Sequence, residues 1–201
     1  EHINLTAIRK IPDVITKHYV DSLLASAYIP QGARVLDLGC GPGFPTIPLA
    51  IARPDLKICA LDSTDKKIKF LFDATNLLAL PNVEAVSGRA EDAVIRKRLG
   101  EFDLVISRAV ARMNILSELC LPYVKQGGAF LAMKGAKGAE EEQEAAHGIA
   151  LLGGRVIASH EKELFLLDGS SEPRVLIEVK KKKKTPPEYP RAYAAILKKP
   201  L

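Results

Sequence analysis

Apolar positions recur along this chain in two alternating rhythms. Val14, Ile15, Tyr19, Leu23, Leu24 and Ala27 fall three and four residues apart. That spacing predicts an amphipathic helix over 13–28, with Pro12 in its first turn and Pro30 beyond its end. The short apolar run 34–38 (RVLDL) then predicts a strand. A glycine-rich segment, Gly39 to Gly43, leads into a helix over 44–52. Prolines at 45 and 48 are tolerable only near the start of that helix, where backbone donors are free. Further strands are predicted over 57–61, 83–86, 102–107 and 129–133. Helices over 65–79, 91–98 and 112–124 separate them, and Gln126-Gly127-Gly128 stops the last of these. A polar helix over 139–151 follows and ends at Gly153-Gly154.

Most of the early strands are short apolar runs rather than half-exposed alternating ones, and with helices between them they give the pattern of a parallel sheet covered on both faces. The rhythm changes after 154. Strand candidates over 155–167 and 174–180 have only the turn-rich stretch Asp168 to Pro173 between them, too short for a crossover helix. That pair is a hairpin and must be antiparallel. The expected fold is α/β, a doubly wound, mostly parallel seven-stranded sheet ending in an antiparallel hairpin. One domain is expected over 1–201, with residues 1–30 as an N-terminal helical part. Residues 185–201 read as a docked or flexible tail.

Charge sharpens the picture at one end. The chain of 201 residues has 29 Lys and Arg against 24 Asp and Glu, a net +5. Residues 180–201 contain Lys180 to Lys184, Arg191, Lys198 and Lys199 against Glu188 alone, so the basic excess sits in this tail. Such an arm suits phosphate, although a solvated tail explains it too. The longest uncharged stretch, Leu38 to Ala52, is broken by three prolines and is too short to span a bilayer. Cys40, Cys59 and Cys120 are odd in number and widely spaced. They suit a reducing compartment, and a cytoplasmic location with no metal site is expected. The chain opens at Glu1 rather than Met, and a preceding segment is expected.

The sharpest chemical signal is Val35-Leu36-Asp37-Leu38-Gly39-Cys40-Gly41-Pro42-Gly43-Phe44. A strand enters a tight glycine turn and then a helix, so backbone can approach a ligand closely. No Lys follows the glycines, which excludes a phosphate loop. A dinucleotide fingerprint needs a third glycine at 44, where Phe44 stands. The spacing is GxGxG, and Asp62 ends the next strand, placed to accept two ribose hydroxyls. These features fit NAD or S-adenosylmethionine. The short loop preceded by Asp37 favours S-adenosylmethionine.

Other candidates follow later strands. Ser87 to Asp92, containing Arg89, Ala90 and Glu91, lies where an adenine would sit, although Glu91 is equally a first-turn helix acid. Arg108 and Arg112 follow the fourth strand, where they could hold phosphate or a base edge, or form a surface salt bridge. Lys134 follows the fifth strand. Asn4, Thr6, His18, Asp21 and Ser22 are polar residues near the opening helix, and His18 and Asp21 can share a face.

Taken together, the residues resemble the bacterial 16S rRNA guanine-N7 methyltransferase family RsmG, also called glucose-inhibited division protein B. The elements are Asn4 to Ile8, His18 to Leu23, Val35 to Pro45, Leu61-Asp62-Ser63 and Gly88 to Glu91. Ser107-Arg108-Ala109, Leu131 to Gly135, Tyr189-Pro190-Arg191 and Lys198 to Leu201 complete them. The chain departs from the family pattern at Thr46, commonly Gly, and at Ala194 to Leu197, where the family runs through Gly-Thr-Pro. The resemblance implies a Rossmann-like class I fold and methyl transfer from S-adenosylmethionine to guanine N7 in 16S rRNA, leaving S-adenosylhomocysteine. It implies cofactor contacts at Asp37, Gly39, Cys40, Gly41, Gly43, Phe44, Asp62, Ser63, Arg89, Ala90, Glu91 and Arg108. It further implies that Arg108, Arg112 and Lys134, with His18 and Asn4 as weaker candidates, act on the RNA or the target base. The small ribosomal subunit or its RNA is the expected partner, and a monomer the expected state. The readings that compete are a same-fold methyltransferase with another acceptor, a non-catalytic RNA-binding module, and an NAD-dependent oxidoreductase.

Overall fold

The computed structural model describes Ile8 and residues 10–201. Asn4 and Thr6 lie outside the described residues. Seven strands form one sheet: β1 (Arg34–Leu38), β2 (Lys57–Asp62), β3 (Val83–Ser87), β4 (Phe102–Arg108), β5 (Val124–Lys134), β6 (Gly154–Phe165) and β7 (Ser171–Lys181). Their order is β3-β2-β1-β4-β5-β7-β6. The first five are parallel, and β7 runs antiparallel to both β5 and β6. This is the expected doubly wound sheet with its closing hairpin.

Period-two alternation explains why β1 and β4 sit centrally. Val35, Leu104 and Ile106 enter the core on one face, while Leu36 and Val105 enter the core on the other. All five are essentially inaccessible to solvent. Helices cover both faces: α3 (Thr46–Ala52), α4 (Asp65–Leu77), α5 (Ala93–Leu99), α6 (Met113–Cys120) and α7 (Gly138–Leu151). The order reverses direction between β1 and β4, so the strand ends splay there and open a crevice at their carboxyl edge. Buried Ser107 closes its floor, donating from Oγ to the Leu38 carbonyl at 2.7 Å.

Four local differences from the sequence expectation have physical causes. The opening helix is not uniform. Between α1 (Ile11–Val14) and α2 (Asp21–Leu23) the chain forms a π-helical segment, Ile15–Val20, and a 3-10 turn follows at Ser26–Tyr28. A π turn holds one more residue than an α turn and re-aims the side chains after it. The helix expected over 44–52 begins at Thr46, because two prolines cannot serve as interior donors. The helix expected over 112–124 gives way at Leu121–Tyr123 to a 3-10 turn, since Pro122 has no N–H to continue the ladder. Gln126-Gly127-Gly128 does not stop a helix. It lies inside β5, where the pairing with β4 jumps from Phe102–Val124 to Leu104–Ala129.

The tail is docked, and it contains a helix the sequence pattern did not suggest, α8 (Tyr193–Lys198). Its Ile196 is fully buried, and Tyr189, Tyr193 and Leu201 pack against the main core. Two of the tail cations are consumed internally. Lys181 is 3% exposed and donates to the Leu121 and Leu152 carbonyls. Arg191 pairs with the fully buried carboxylate of Glu118. No helix among the described residues is long and apolar enough to cross a membrane.

Candidate active site

Two adjoining clefts occupy the carboxyl edge of the sheet. The first, about 320 Å³, is lined by Leu38 and Gly39 at the end of β1, Leu61 to Thr64 at the end of β2, Gly88 to Glu91 after β3, and Ala109 and Val110 after β4. Lys67, Leu119 and Tyr193 complete its walls. Both its volume and its switch-point position are those of a small-molecule site. The second, about 660 Å³, shares Ala109 and Val110 with the first and extends over β5 and β7 toward the opening helix.

The glycine loop is built for close approach. Gly39 has φ +76°, and a Cβ there would collide with the Val110 side chain. Gly41 has φ +56°, a region an L side chain rarely adopts. The loop is tied to β2, since Gly39 and Cys40 N–H groups both donate to the Leu61 carbonyl. Asp62 holds the turn on its far side, accepting from Gly41 N at 3.0 Å and from Thr64 N at 2.9 Å. One lone pair on each carboxylate oxygen remains. Ala90 is held by the hydroxyl of buried Tyr123, which donates to its carbonyl at 2.8 Å. Arg89 pairs with Glu91 at 2.6 Å.

Asp37 lies beneath the loop with no solvent exposure. Thr46 Oγ1 donates to its Oδ2 at 2.6 Å, whereas Oδ1 has no hydrogen-bond partner among the described residues. Burial pushes its pKa up to about 7, against the opposing pull of the Thr46 hydroxyl and the Arg108 charge. The departure from the family pattern at Thr46 thus has a structural use. Arg108 Nε is likewise buried without a partner. An orphaned acceptor and an orphaned donor in one electrostatic neighbourhood are the two groups that a zwitterionic amino-acid tail would satisfy.

The second cleft is organised by Asp21. Its two carboxylate oxygens take Arg108 Nη1 and Arg174 Nε, each at 2.9 Å. The Arg108 Nη1 also donates to the Lys17 carbonyl inside the π segment at 3.0 Å. Glu172 accepts from Lys17 and Arg174 in turn. His18 stacks on Phe44 with ring centres 4.8 Å apart, and its Nδ1 lies 3.3 Å from Arg108 Nη2. Burial first, then the Arg108 charge, lowers its pKa, so the imidazole is neutral.

The structure gathers Gly39, Asp62, Ser63, Arg89, Ala90 and Glu91 around the first cleft, and His18, Arg108, Arg112 and Lys134 around the second. Cys40, Gly41, Gly43 and Phe44 shape the loop without lining the first cleft. Lys134 is anchored, donating to the Ala111 carbonyl at 2.6 Å and pairing with Glu141 at 2.8 Å. Arg112 pairs with Glu140 and Glu144 on α7. Sequence reading did not pick out Arg174, Lys17 or Tyr193. Arg174 was findable: an antiparallel strand begins where its neighbour ends, and Lys134 pairs with Val175. Nothing local marks Tyr193. Among the described residues no group of three His, Cys, Asp or Glu side chains could hold a metal ion.

Comparison with known proteins gives the fold and the family. The fold is shared with a SAM dependent methyltransferase from Aquifex aeolicus, with TM-score 0.61, 20% identity, and coverage of 83% of this chain and 93% of that one. The Ribosomal RNA small subunit methyltransferase G of Lachnoclostridium phytofermentans is 48% identical over 99% of this chain and 82% of its own length. That of Lactobacillus helveticus is 44% identical over 100% of this chain and 85% of its own. The family model described as GidB, rRNA small subunit methyltransferase G, matches residues 1–164. With a glycine loop, a strand-end acid and a basic second cleft in one switch-point crevice, the chain belongs to the rRNA small subunit methyltransferase G family.

Proposed function

We propose how this chain performs the reaction of its family, methyl transfer from S-adenosylmethionine to N7 of a guanine in 16S rRNA. The observation that carries the reading is the pair of adjoining clefts divided by Ala109 and Val110, one fitted to a nucleoside and the other basic. In the first, Asp62 receives the ribose hydroxyls through its free lone pairs, and Ser63, Arg89, Ala90 and Glu91 frame the adenine. Gly39 backs the amino-acid end, with Asp37 Oδ1 and Arg108 Nε as its polar partners, directly or through one water. The chemistry supplied by bound S-adenosylmethionine is an electrophilic methyl carbon on a positive sulfur.

The acceptor atom dictates what the second cleft must do. Guanine N7 has a lone pair and no proton to lose, so no general base is needed. Catalysis then rests on alignment and exclusion of water. Arg108 and Arg174 share one carboxylate, so they present directed N–H donors with their charge partly neutralised. That suits binding of a phosphate or guanine O6, because a bare cation beside N7 would oppose its developing positive charge. His18, held neutral on Phe44, offers a flat uncharged surface beside them. Lys134 acts as a positioning residue that holds the 109–111 loop through the Ala111 carbonyl.

We further infer a monomer, since both clefts are built from one chain, that acts in the cytoplasm on 16S rRNA or the small subunit, a reading supported by its three free cysteines and its family. Tritiated methyl transfer into small-subunit RNA, followed by mapping of the labelled nucleotide, tests the reading. Label in N7 of a single guanine is expected. Label in another base, or only in a protein or small molecule, would refute it.

A further inference from the structure

The basic tail suggested an arm reaching for RNA, yet its stretch from Tyr189 onward turns inward. Tyr193, the first residue of α8, lines the first cleft beside Arg89, Ala90, Glu91 and Leu119. The Arg89 guanidinium lies 5.3 Å from the centre of its ring. No residue between β7 and Tyr193 reaches that cleft.

The segment is fastened there from three sides. Glu118 on α6, fully buried, accepts from Arg191 N at 2.8 Å, Nε at 2.8 Å and Nη2 at 2.5 Å. Arg96 on α5 donates from Nη1 to the Tyr189 carbonyl at 2.8 Å. Leu201 packs on α7 so closely that a Cβ at Gly148 would come within 2.6 Å of it. A buried carboxylate with a bidentate guanidinium and a backbone donor is a costly arrangement unless every partner is present. Here all partners are present, and the result is a fixed direction for the residue two positions after Arg191.

We infer that the docked segment 189–201 is part of the cofactor site, with Tyr193 as the outer wall of the adenosine end. Its ring lines the cleft and packs against Arg89, whose partner Glu91 lines the same cleft. Tyr193 is a binding residue for the nucleoside. Arg191 and Glu118 are positioning residues that act through it. The inference rests on the first cleft being the cofactor site, and the test separates the two claims.

Calorimetric titration with S-adenosylhomocysteine is run on the wild type, Tyr193→Ala, Tyr193→Phe and Asp62→Ala. Tyr193→Ala should bind roughly two- to tenfold more weakly, the range of one aromatic contact. Tyr193→Phe should retain wild-type affinity, because the ring and not the hydroxyl forms the wall. In turnover, Tyr193→Ala should raise KM for S-adenosylmethionine and leave kcat within twofold. Normal binding in Tyr193→Ala alongside weakened binding in Asp62→Ala would overturn the tail inference alone. Normal binding in both would overturn the placement of the cofactor. A second measurement needs no variant: amide hydrogen exchange over 192–198 in the wild type should slow when S-adenosylhomocysteine is added. Unchanged exchange there, with slowed exchange over 39–43, would count against the tail as a wall.

Discussion

Asp37→Asn exposes the electrostatics of the site. Asp37 is fully buried, and its pKa stands at about 7 against an ordinary 3.8. The cause is desolvation, opposed by the Thr46 hydroxyl and Arg108. A difference of about 3 units corresponds to about 4 kcal/mol of preference for the neutral acid. The folded pKa is raised, so the associated stability is complete below pH 3.8 and is lost as pH rises through 7. Ligand binding has the opposite sign, because an ammonium beside Oδ1 favours the carboxylate. The ionised fraction is about 9% at pH 6 and about 91% at pH 8, so S-adenosylhomocysteine affinity should rise about tenfold across that interval. Titrations in buffers of different ionisation enthalpy should show net proton release near pH 7. In Asp37→Asn the affinity should be lower and this component of its pH dependence absent, while titration of the ligand's own amine remains common to both proteins. Without ligand, the stability of the variant relative to wild type should increase by about 3 kcal/mol between pH 5 and 8, the part of the roughly 4 kcal/mol not already lost between pH 3.8 and 5, read from denaturant melts. A constant offset across that range, or equal proton release in both proteins, would refute the assignment.

Three further outcomes follow from named contacts. Arg174→Ala removes charge-assisted bonds to Asp21 and Glu172, a loss of about 1.5–3 kcal/mol each. It should lower kcat/KM for RNA methylation at least tenfold, with S-adenosylhomocysteine affinity within twofold by calorimetry. Lys182→Ala, Lys183→Ala and Lys184→Ala together should flatten the salt dependence of RNA binding by up to about 2 in the log–log slope, measured by filter binding at several salt concentrations. Burial lowers the Lys181 pKa to about 8, so its contribution is full above 10.5 and is lost as pH falls through 8. Thermal melts of the wild type should therefore show a gain between pH 8 and 10 that Lys181→Met lacks.

The sheet was legible because its signals are local. Runs such as 34–38 and 102–107 are apolar on both faces, and only a strand buried between helix layers uses that pattern. The hairpin followed from a gap too short for a crossover. The glycine loop and Asp62 were legible for the same reason, since strand, turn and strand-end acid are read within one stretch of sequence. The π segment was not, because helical spacing of Val14 to Leu24 is compatible with one inserted residue. The contacts made at the π turn are distant in sequence: Arg108 donates to the Lys17 carbonyl, and Asp21 is shared by Arg108 and Arg174.

The tail shows the limit of composition most clearly. Eight cations against one acid read as a single electrostatic object, because charge counting cannot see a buried carboxylate on another element. Glu118 removes Arg191 from that count, and the Leu121 and Leu152 carbonyls remove Lys181. The exposed charges that remain are Lys182 to Lys184, ahead of the docked segment, and Lys198 and Lys199 near its end. The segment therefore has two chemistries in sequence order, a solvated basic run and an anchored aromatic helix. RNA affinity should follow the first and cofactor affinity the second, so the lysine and Tyr193 variants should change the two binding constants independently.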